Sequence, residues 1–338
     1  SVSPVTPNVP GIHFTRAWVV KPFVRFFECL GSPVERYLLD SHLSPDLFDD
    51  DHAAVPIRLA TSFADRASQA EGVDHVGLRV SESLTPDDLG SLRALMLYSR
   101  NLHEYLETAC RLVGSISTAA RYAVTTHGDT ARFHHSTLDV GENLHGHLFT
   151  LGATIQTLRL VAGASWTPEA VVIPTANADG FAEVSDAFEH VRADPAACSA
   201  SFDFPRSFLT LPAPRADTLP MEAPGKGLER LDEGGFRHAA RRLVESLVLD
   251  GLADVQIAAD AAGMSSRTFQ RRLAECGLAY SRLVQEARVA VAERWLLEEG
   301  RSVADVAYSL GYTDPANFTR AFRRLNGVPP SVFTASRA

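Results

Sequence analysis

Cysteine is scarce in this chain. The four present, Cys29, Cys110, Cys198 and Cys276, form no CxxC and no close pair. That spacing excludes a disulfide-stapled secreted scaffold and predicts reduced, buried thiols in a cytosolic protein. No apolar run reaches the length of roughly 18 residues that a membrane span needs. The first residues, SVSPVTPNVPG, lack a basic stretch followed by an apolar core, so no secretory signal is expected; rich in proline, they should fray. A Gly-x-Ser-x-Gly elbow, a phosphate-binding glycine loop and a dinucleotide fingerprint are also missing. No catalytic residue, cofactor or metal site is therefore expected. His134-His135 and His145-Gly146-His147 do not change this. Neighbours on a strand face opposite ways, and no Asp, Glu or Cys completes a ligand set at suitable spacing.

Basic charge is short too. Lys and Arg number 32 against 41 Asp and Glu, a net of −9. Split by position, however, residues 229–338 hold 15 Arg and 14 Asp or Glu, while the remainder carries a net of −10. The acidic charge sits in the N-terminal part. The C-terminal arginines gather on two helix faces, and local placement matters more than the sum. At 338 residues and 45% hydrophobic content, the chain has room for two packed domains.

What is present is most explicit between Ser302 and Ser331, SVADVAYSLGYTDPANFTRAFRRLNGVPPS. Ser302 is a good N-cap for a helix starting at Val303. Val303, Val306, Ala307 and Leu310 fall at i, i+3, i+4 and i+7, one apolar face. Gly311 can adopt the left-handed conformation that ends it. Asp314 then caps a second helix whose first residue, Pro315, loses no needed hydrogen bond. Phe318, Phe322 and Leu325 give that helix a buried side, with Asn317, Arg320, Arg323 and Arg324 outside. Gly327 and Pro329-Pro330 stop it. The pattern describes a helix-turn-helix with a basic outer face.

The same pattern occurs once before. Val255 and Gly263 precede Val303 and Gly311 by 48 residues; Phe269, Arg271 and Leu273 precede Phe318, Arg320 and Phe322 by 49. Asp254 caps the first helix and Ser265 the second. Tyr280–Glu299 between the copies, with Leu283, Ala287, Ala290, Val291 and Trp295 at helical spacing, predicts one long connecting helix. Duplicated units are a far stronger signal than either alone. Arg267, Gln270 and Arg271 lie at i, i+3 and i+4, opposite Phe269 and Leu273. Arginine suits bidentate contact with guanine and glutamine with adenine.

These residues carry a resemblance. From about Leu231 to Ala338, on DVAYSLGYTDPANFTRAFRRLNGVPPSVF and SSRTFQRRLAECG, the chain resembles the DNA-binding domain of AraC/XylS-type transcription regulators. The resemblance implies two units placing recognition helices in successive major-groove segments. It puts base-facing residues at Arg267, Gln270 and Arg271 in the first unit and at Pro315, Ala316, Asn317 and Arg320 in the second. Pro315 and Ala316 depart from the polar residues some members use, which implies a more degenerate reading there.

Upstream, helices are expected over Ala17–Cys29, Val34–Asp40, Val55–Glu71, from Thr85-Pro86-Asp87-Asp88 onward, Ala94–Ser99, Leu102–Leu112, Leu144–Ala162 and Phe181–His190. HVGLRVSES, after Gly72, predicts a turn and an extended segment. Ala119–Thr126 and Thr130–Thr137 predict a hairpin turning at His127-Gly128-Asp129. Ala170–Pro174 predicts a buried strand and Ser199–Phe204 an edge-type strand. The mixture favours an α+β domain. Of the aromatic residues Phe23, Phe26, Phe27, Tyr98, Tyr105, Phe149 and Trp166, most are expected in the core and a few could line a pocket. Ala213–Gly227, rich in Pro and Gly, is the expected linker, giving domains 1–212 and 228–338, the second opening with a helix over Phe236–Leu249. The hairpin and the ending SFDFPRSFLTLPAP resemble one branch of the family, whose sensor is a helical and mixed α+β module distinct from the jelly-roll sensor of the arabinose regulator. That implies an effector-binding or dimerisation role.

The resulting expectation is a cytoplasmic transcription regulator that activates, with no membrane association. Its partners would be double-stranded promoter or operator DNA, RNA polymerase, a small-molecule effector of unknown identity and a second copy of the chain. Rivals are a regulator controlled by a partner protein, a DNA-repair enzyme fused to this DNA-binding domain, and a nucleoid-type structural binder. Four isolated cysteines argue against the enzyme, which would need a reactive thiol, often in a zinc cluster.

Overall fold

A computed structural model describes residues 11–335 except 86, 87, 89, 90, 139–142, 214–234, 250 and 298. The expected linker therefore lies, apart from Ala213, outside the described residues, as do the proline-rich start and the Pro86-Asp87 helix opening. Contacts separate two units, one made chiefly of residues 13–232 and the other of Glu233–Ala338.

In the first unit, β1 (Phe14–Arg16) runs into α1 (Ala17–Cys29), followed by α2 (Val34–Asp40). β2 (Ala54–Pro56) pairs antiparallel with β1, Phe14 opposite Pro56. The helix expected from Val55 therefore starts later, as α3 (Ile57–Glu71): Val55 belongs to the strand, and Pro56 is held extended at the N-cap. Gly72, in the left-handed region at φ +64°, ends α3. Next come α4 (Val76–Glu82), α5 (Ser91–Tyr98) and α6 (Leu102–Ile116), the last capped by Asn101, which accepts from the Glu104 N–H at 2.9 Å.

The hairpin forms as β3 (Ala120–His127) and β4 (Thr130–Thr137), in a register that pairs His127 with Thr130. The turn is thus only Gly128-Asp129, and Gly128 supplies the positive φ it needs. After α7 (Leu144–Ala162) come β5 (Val171–Ile173), α8 (Phe181–Val184), β6 (Val191–Ala193) and β7 (Ala200–Pro205). Five strands make one sheet in the order β3-β4-β7-β5-β6, parallel only between β5 and β6. β7 is therefore central, not the edge strand its alternation suggested. Phe202 and Phe204 are buried with Ala131, Phe133, Val171, Leu151 and Ile155 in the main core. The helix expected over Phe181–His190 breaks at Ser185, whose hydroxyl instead accepts from the Ala187 N–H and starts a 3-10 turn, Asp186–Phe188.

The largest departure from the expected elements is α4, where Val-Gly-Leu-Arg-Val reads as a strand but forms a helix. The reason lies in another segment. A Cβ on Gly77 would sit 2.1 Å from the His145 carbonyl oxygen, and one on Gly152 would sit 2.0 Å from Ser81 Oγ. Two small-residue contacts thus let α4 and α7 approach backbone to backbone at Gly77 and side chain to backbone at Gly152. Gly77→Ala is expected to force them apart and to destabilise the first unit by about 1–3 kcal/mol, as overpacking does. Chemical denaturation followed by near-UV signal checks this, and an unchanged midpoint would show that the contact is slack.

In the second unit, α9 (Gly235–Leu249) precedes two helix pairs joined by a long helix. The pairs are α10 (Val255–Ala261) with α11 (Ser266–Glu275), and α13 (Val303–Ser309) with α14 (Pro315–Asn326). The joining helix is α12 (Tyr280–Leu297), and α15 (Pro330–Ala335) follows. No helix among the described residues is long and apolar enough to cross a membrane. The thiols differ from expectation: Cys29 and Cys198 are exposed, Cys110 and Cys276 partly buried, and all four are free.

Candidate nucleic-acid interface and pocket

Local chemistry sets both helix pairs. Asp254 accepts from the Gln256 N–H at 2.6 Å, and Ser265 from the Thr268 N–H at 3.2 Å. Ser302 accepts from the Asp305 N–H at 3.1 Å, and Asp314 from the Ala316 N–H at 2.8 Å. Each cap satisfies a donor that the first turn would leave orphaned. Between the helices of each pair the chain turns at Gly263 (φ +69°) and Gly311 (φ +77°), conformations an L side chain rarely adopts.

The buried sides match across the repeat. Phe269 and Leu273 are buried in α11, as are Phe318 and Phe322 in α14. Tyr312, Phe318, Phe322 and Phe333 continue one another, with ring centroids 5.5, 5.7 and 5.4 Å apart. Three positions differ from the expected pattern. Leu325 is 37% exposed, because α15 covers Phe322 through Phe333 and leaves the last turn of α14 uncovered. Ala290 is exposed and Trp295 half-buried, while Val284, Val289, Ala292 and Leu296 are buried. α12 packs against α9, α13, α14 and α15, so its apolar surface is wider than one stripe.

The outer faces carry the residues singled out from sequence. Arg267, Gln270 and Arg271 are exposed on α11. Arg271 Nε lies 3.9 Å from Glu275 Oε1, a loose exposed pair that leaves the guanidinium available to another acceptor. On α14, Ala316, Asn317 and Arg320 are exposed and Pro315 is half-buried. The Arg320 guanidinium donates to Asn317 Oδ1, so these two long side chains hold one another. Arg324 instead donates to Gln285 on α12. Each recognition helix thus presents an exposed polar face, but at the positions expected to face bases α11 presents three long hydrogen-bonding side chains and α14 two.

The first unit holds a partly open cavity of about 160 Å³. Trp18 and Phe23 line it from α1, Ala60 and Ala64 from α3, Tyr105 and Ala109 from α6, and Phe149, Thr150, Ala153 and Thr157 from α7. Tyr122, Phe133 and His135 close it from the hairpin. Of the aromatic residues considered from sequence, Phe23, Tyr105 and Phe149 line the cavity; Phe26, Phe27 and Trp166 do not, and Tyr98 is 55% exposed. Tyr122 and His135 could have been linked to it from sequence, since the hairpin register places them opposite one another. The cavity itself could not, because its walls come from segments as far apart as Thr15 and Thr157.

His135 and His147 are both buried, with their Nδ1 atoms 3.2 Å apart. Burial lowers the His147 pKa to about 4. Burial, and then repulsion from His147, lowers that of His135 well below its ordinary value. Both imidazoles are neutral at pH 7, and one must donate to the other. Burial raises the pKa of Tyr122 to about 12 and that of Tyr105 further. Interaction with Thr157 offsets part of the rise at Tyr105, and interaction with Thr150 part of that at Tyr122. No third His, Cys, Asp or Glu among the described residues joins the histidine pair in a cluster that could hold a metal.

Comparison with known proteins extends this picture. A family model described as the arabinose-binding domain of AraC transcription regulator matches residues 31–213, and one described as a helix-turn-helix domain matches residues 258–336. An uncharacterised HTH-type transcriptional regulator of Mycobacterium bovis is 36% identical over 138 residues, 39% of this chain and 39% of that protein. The transcriptional activator NphR of a Rhodococcus species is 33% identical over 98 residues, 29% of each chain. The matched stretches therefore span well under half of these relatives. The crystal structure of the transcriptional regulator CdpR from Pseudomonas aeruginosa is 20% identical, covers 90% of this chain and 96% of that one, and has a TM-score of 0.37, which carries no argument. With one model covering more than half of its residues and a second covering the helix-turn-helix repeat, the chain belongs to the AraC family of transcription regulators.

Proposed function

We propose that this protein is a sequence-specific DNA-binding regulator whose first unit senses a small molecule. The observation that carries the reading is the repeat of two capped, glycine-turned helix pairs, each exposing a polar recognition helix above a phenylalanine core. Arg267, Gln270 and Arg271 read base edges in one major-groove segment; Ala316, Asn317 and Arg320 read the next. Phosphate contacts supply most of the affinity and these side chains the specificity. Residues 1–212 sense, 228–338 bind DNA, and 213–227 link them. The protein works in the cytoplasm on operator DNA, with RNA polymerase and a second copy of the chain as partners. NphR's description as an activator favours activation. The cavity in the first unit favours a small-molecule effector over control by a partner protein.

Arg271→Ala is expected to weaken operator binding by about 1–3 kcal/mol, roughly a 5- to 150-fold rise in Kd, and to relax base preference under α11. Fluorescence anisotropy with the full-length protein and single-base operator variants measures both. An unchanged Kd with unchanged preference would remove Arg271 from the reading surface.

A further inference from the structure

The chemistry of the cavity wall narrows what it can hold. Among the described residues no lysine or arginine lines it, and the one carboxylate that does, Asp88, is already engaged by the Arg25 guanidinium and by the Thr85 N–H and hydroxyl. A permanent charge placed here would lose its hydration without gaining a free counter-charge, a penalty of several kcal/mol. The other polar side chains on the wall are hydroxyls, the Tyr105 and Tyr122 phenols, the Trp18 indole, Asn143, His135 and His145. The Thr157 hydroxyl donates to the Ala153 carbonyl at 2.9 Å. Tyr122 stacks edge-on to His135, ring centroids 5.6 Å apart. Behind His135 stands His147.

These groups carry specific hydrogen-bonding capacity. Each phenol offers an O–H and oxygen lone pairs. The histidine pair has two tautomeric arrangements. If His147 donates, His135 carries its proton on Nε2 and offers a donor; if His135 donates, its Nε2 is an acceptor. A hydroxyl, which both donates and accepts, fits either state. Most of the wall surface, including Val19, Phe23, Ala64, Leu106, Ala109 and Phe149, is apolar. A dry apolar cavity of about 150 Å³ holds a benzene-sized molecule.

We propose that the cavity binds an uncharged, mainly apolar molecule about the size of one ring, carrying a single hydroxyl that meets His135 and the Tyr105–Tyr122 pair. The proposal rests on the effector reading above and sharpens it. A pentose such as the arabinose named in the family model's description is disfavoured by this wall, because its predominantly apolar surface would desolvate several of the sugar's hydroxyls against Val, Phe and Ala.

The test is a thermal-shift and calorimetric series on the full-length protein with 4-methylphenol, toluene, benzoate, benzylamine and L-arabinose. Only 4-methylphenol is expected to raise the melting temperature clearly, by about 3 °C at ten times its Kd, with toluene binding at least tenfold more weakly. Ala153→Trp, which fills the cavity, should abolish the shift. His135→Leu should bring 4-methylphenol and toluene to equal affinity, so the proposal is still tested if the tryptophan variant fails to fold. Preference for benzoate, benzylamine or arabinose, lost in Ala153→Trp, would overturn the ligand class but keep the cavity as an effector site. No shift with any probe would overturn both the class and the sensing role.

Discussion

Phe322→Ala is expected to destabilise the second helix-turn-helix by about 3–5 kcal/mol, the usual loss for truncating a fully buried phenylalanine. Phe322 has no exposed surface and sits between Phe318 and Phe333, ring centroids 5.7 and 5.4 Å away. Its removal leaves a void that α14 and α15 would have to collapse around, and α14 carries Asn317 and Arg320. Binding to DNA should fall with stability, although Phe322 faces away from the recognition surface. Leu325→Ala, three residues on in the same periodic pattern, is expected to change stability by no more than about 0.5 kcal/mol because that side chain is already half in water. Hydrogen exchange of the α13 and α14 amides resolves the two. Equal losses would mean that Leu325 is covered after all.

Acid is expected to destabilise the first unit well before its carboxylates are exhausted. His135 and His147 bind protons less readily folded than unfolded. The unfolded chain therefore takes up more protons in mild acid. Stability is full above the ordinary histidine value of about 6.5 and falls as pH drops through that value toward about 4. With the His147 pKa at about 4, its share of the loss is on the order of 2–3 kcal/mol by pH 4.5. Once one ring is charged, its neighbour 3.2 Å away is harder to charge, which spreads the second protonation to lower pH. Thermal midpoints from pH 7.5 to 4.5, compared between wild type and His147→Asn, isolate the effect. Parallel curves would show that the pair stays neutral for another reason or opens to solvent.

The sequence was most legible where structure is local. Ser302, Asp314, Asp254 and Ser265 cap helices through hydrogen bonds two or three residues away, and Gly263 and Gly311 turn the chain where they stand. A second copy of the pattern removed the remaining ambiguity. Legibility failed where a partner far along the chain decides. α4 alternates like a strand, but Gly77 and Ser81 are small because α7 passes against them some seventy residues later. β7 looked half-exposed from its alternation, yet it takes β4 on one side and β5 on the other. Leu325 fits its helix's period and still lies outside, because periodicity states which face a residue shares and not how far the neighbouring helix reaches. The cavity had no sequence signal at all beyond the pairing of Tyr122 with His135. The exposure of Arg267, Gln270, Arg271, Asn317 and Arg320 followed from the spacing of the buried residues around them.

The central claim is that the two helix pairs read DNA, and read it unequally. α11 offers three long side chains able to reach base edges. α14 begins with Pro315, which has no N–H donor, and Ala316, which offers only a methyl contact; its Asn317 and Arg320 are bonded to each other before any DNA arrives. Selection from a random duplex library with the full-length protein measures the reading directly. The expected result is one enriched site in which the segment under α11 is sharply defined, while the segment under α14 is degenerate and marked by thymine methyls or groove shape. Arg271→Ala should flatten the first segment and leave the second intact. An enriched pool with no preferred sequence, or two segments of equal information that Arg271→Ala does not alter, would contradict the account.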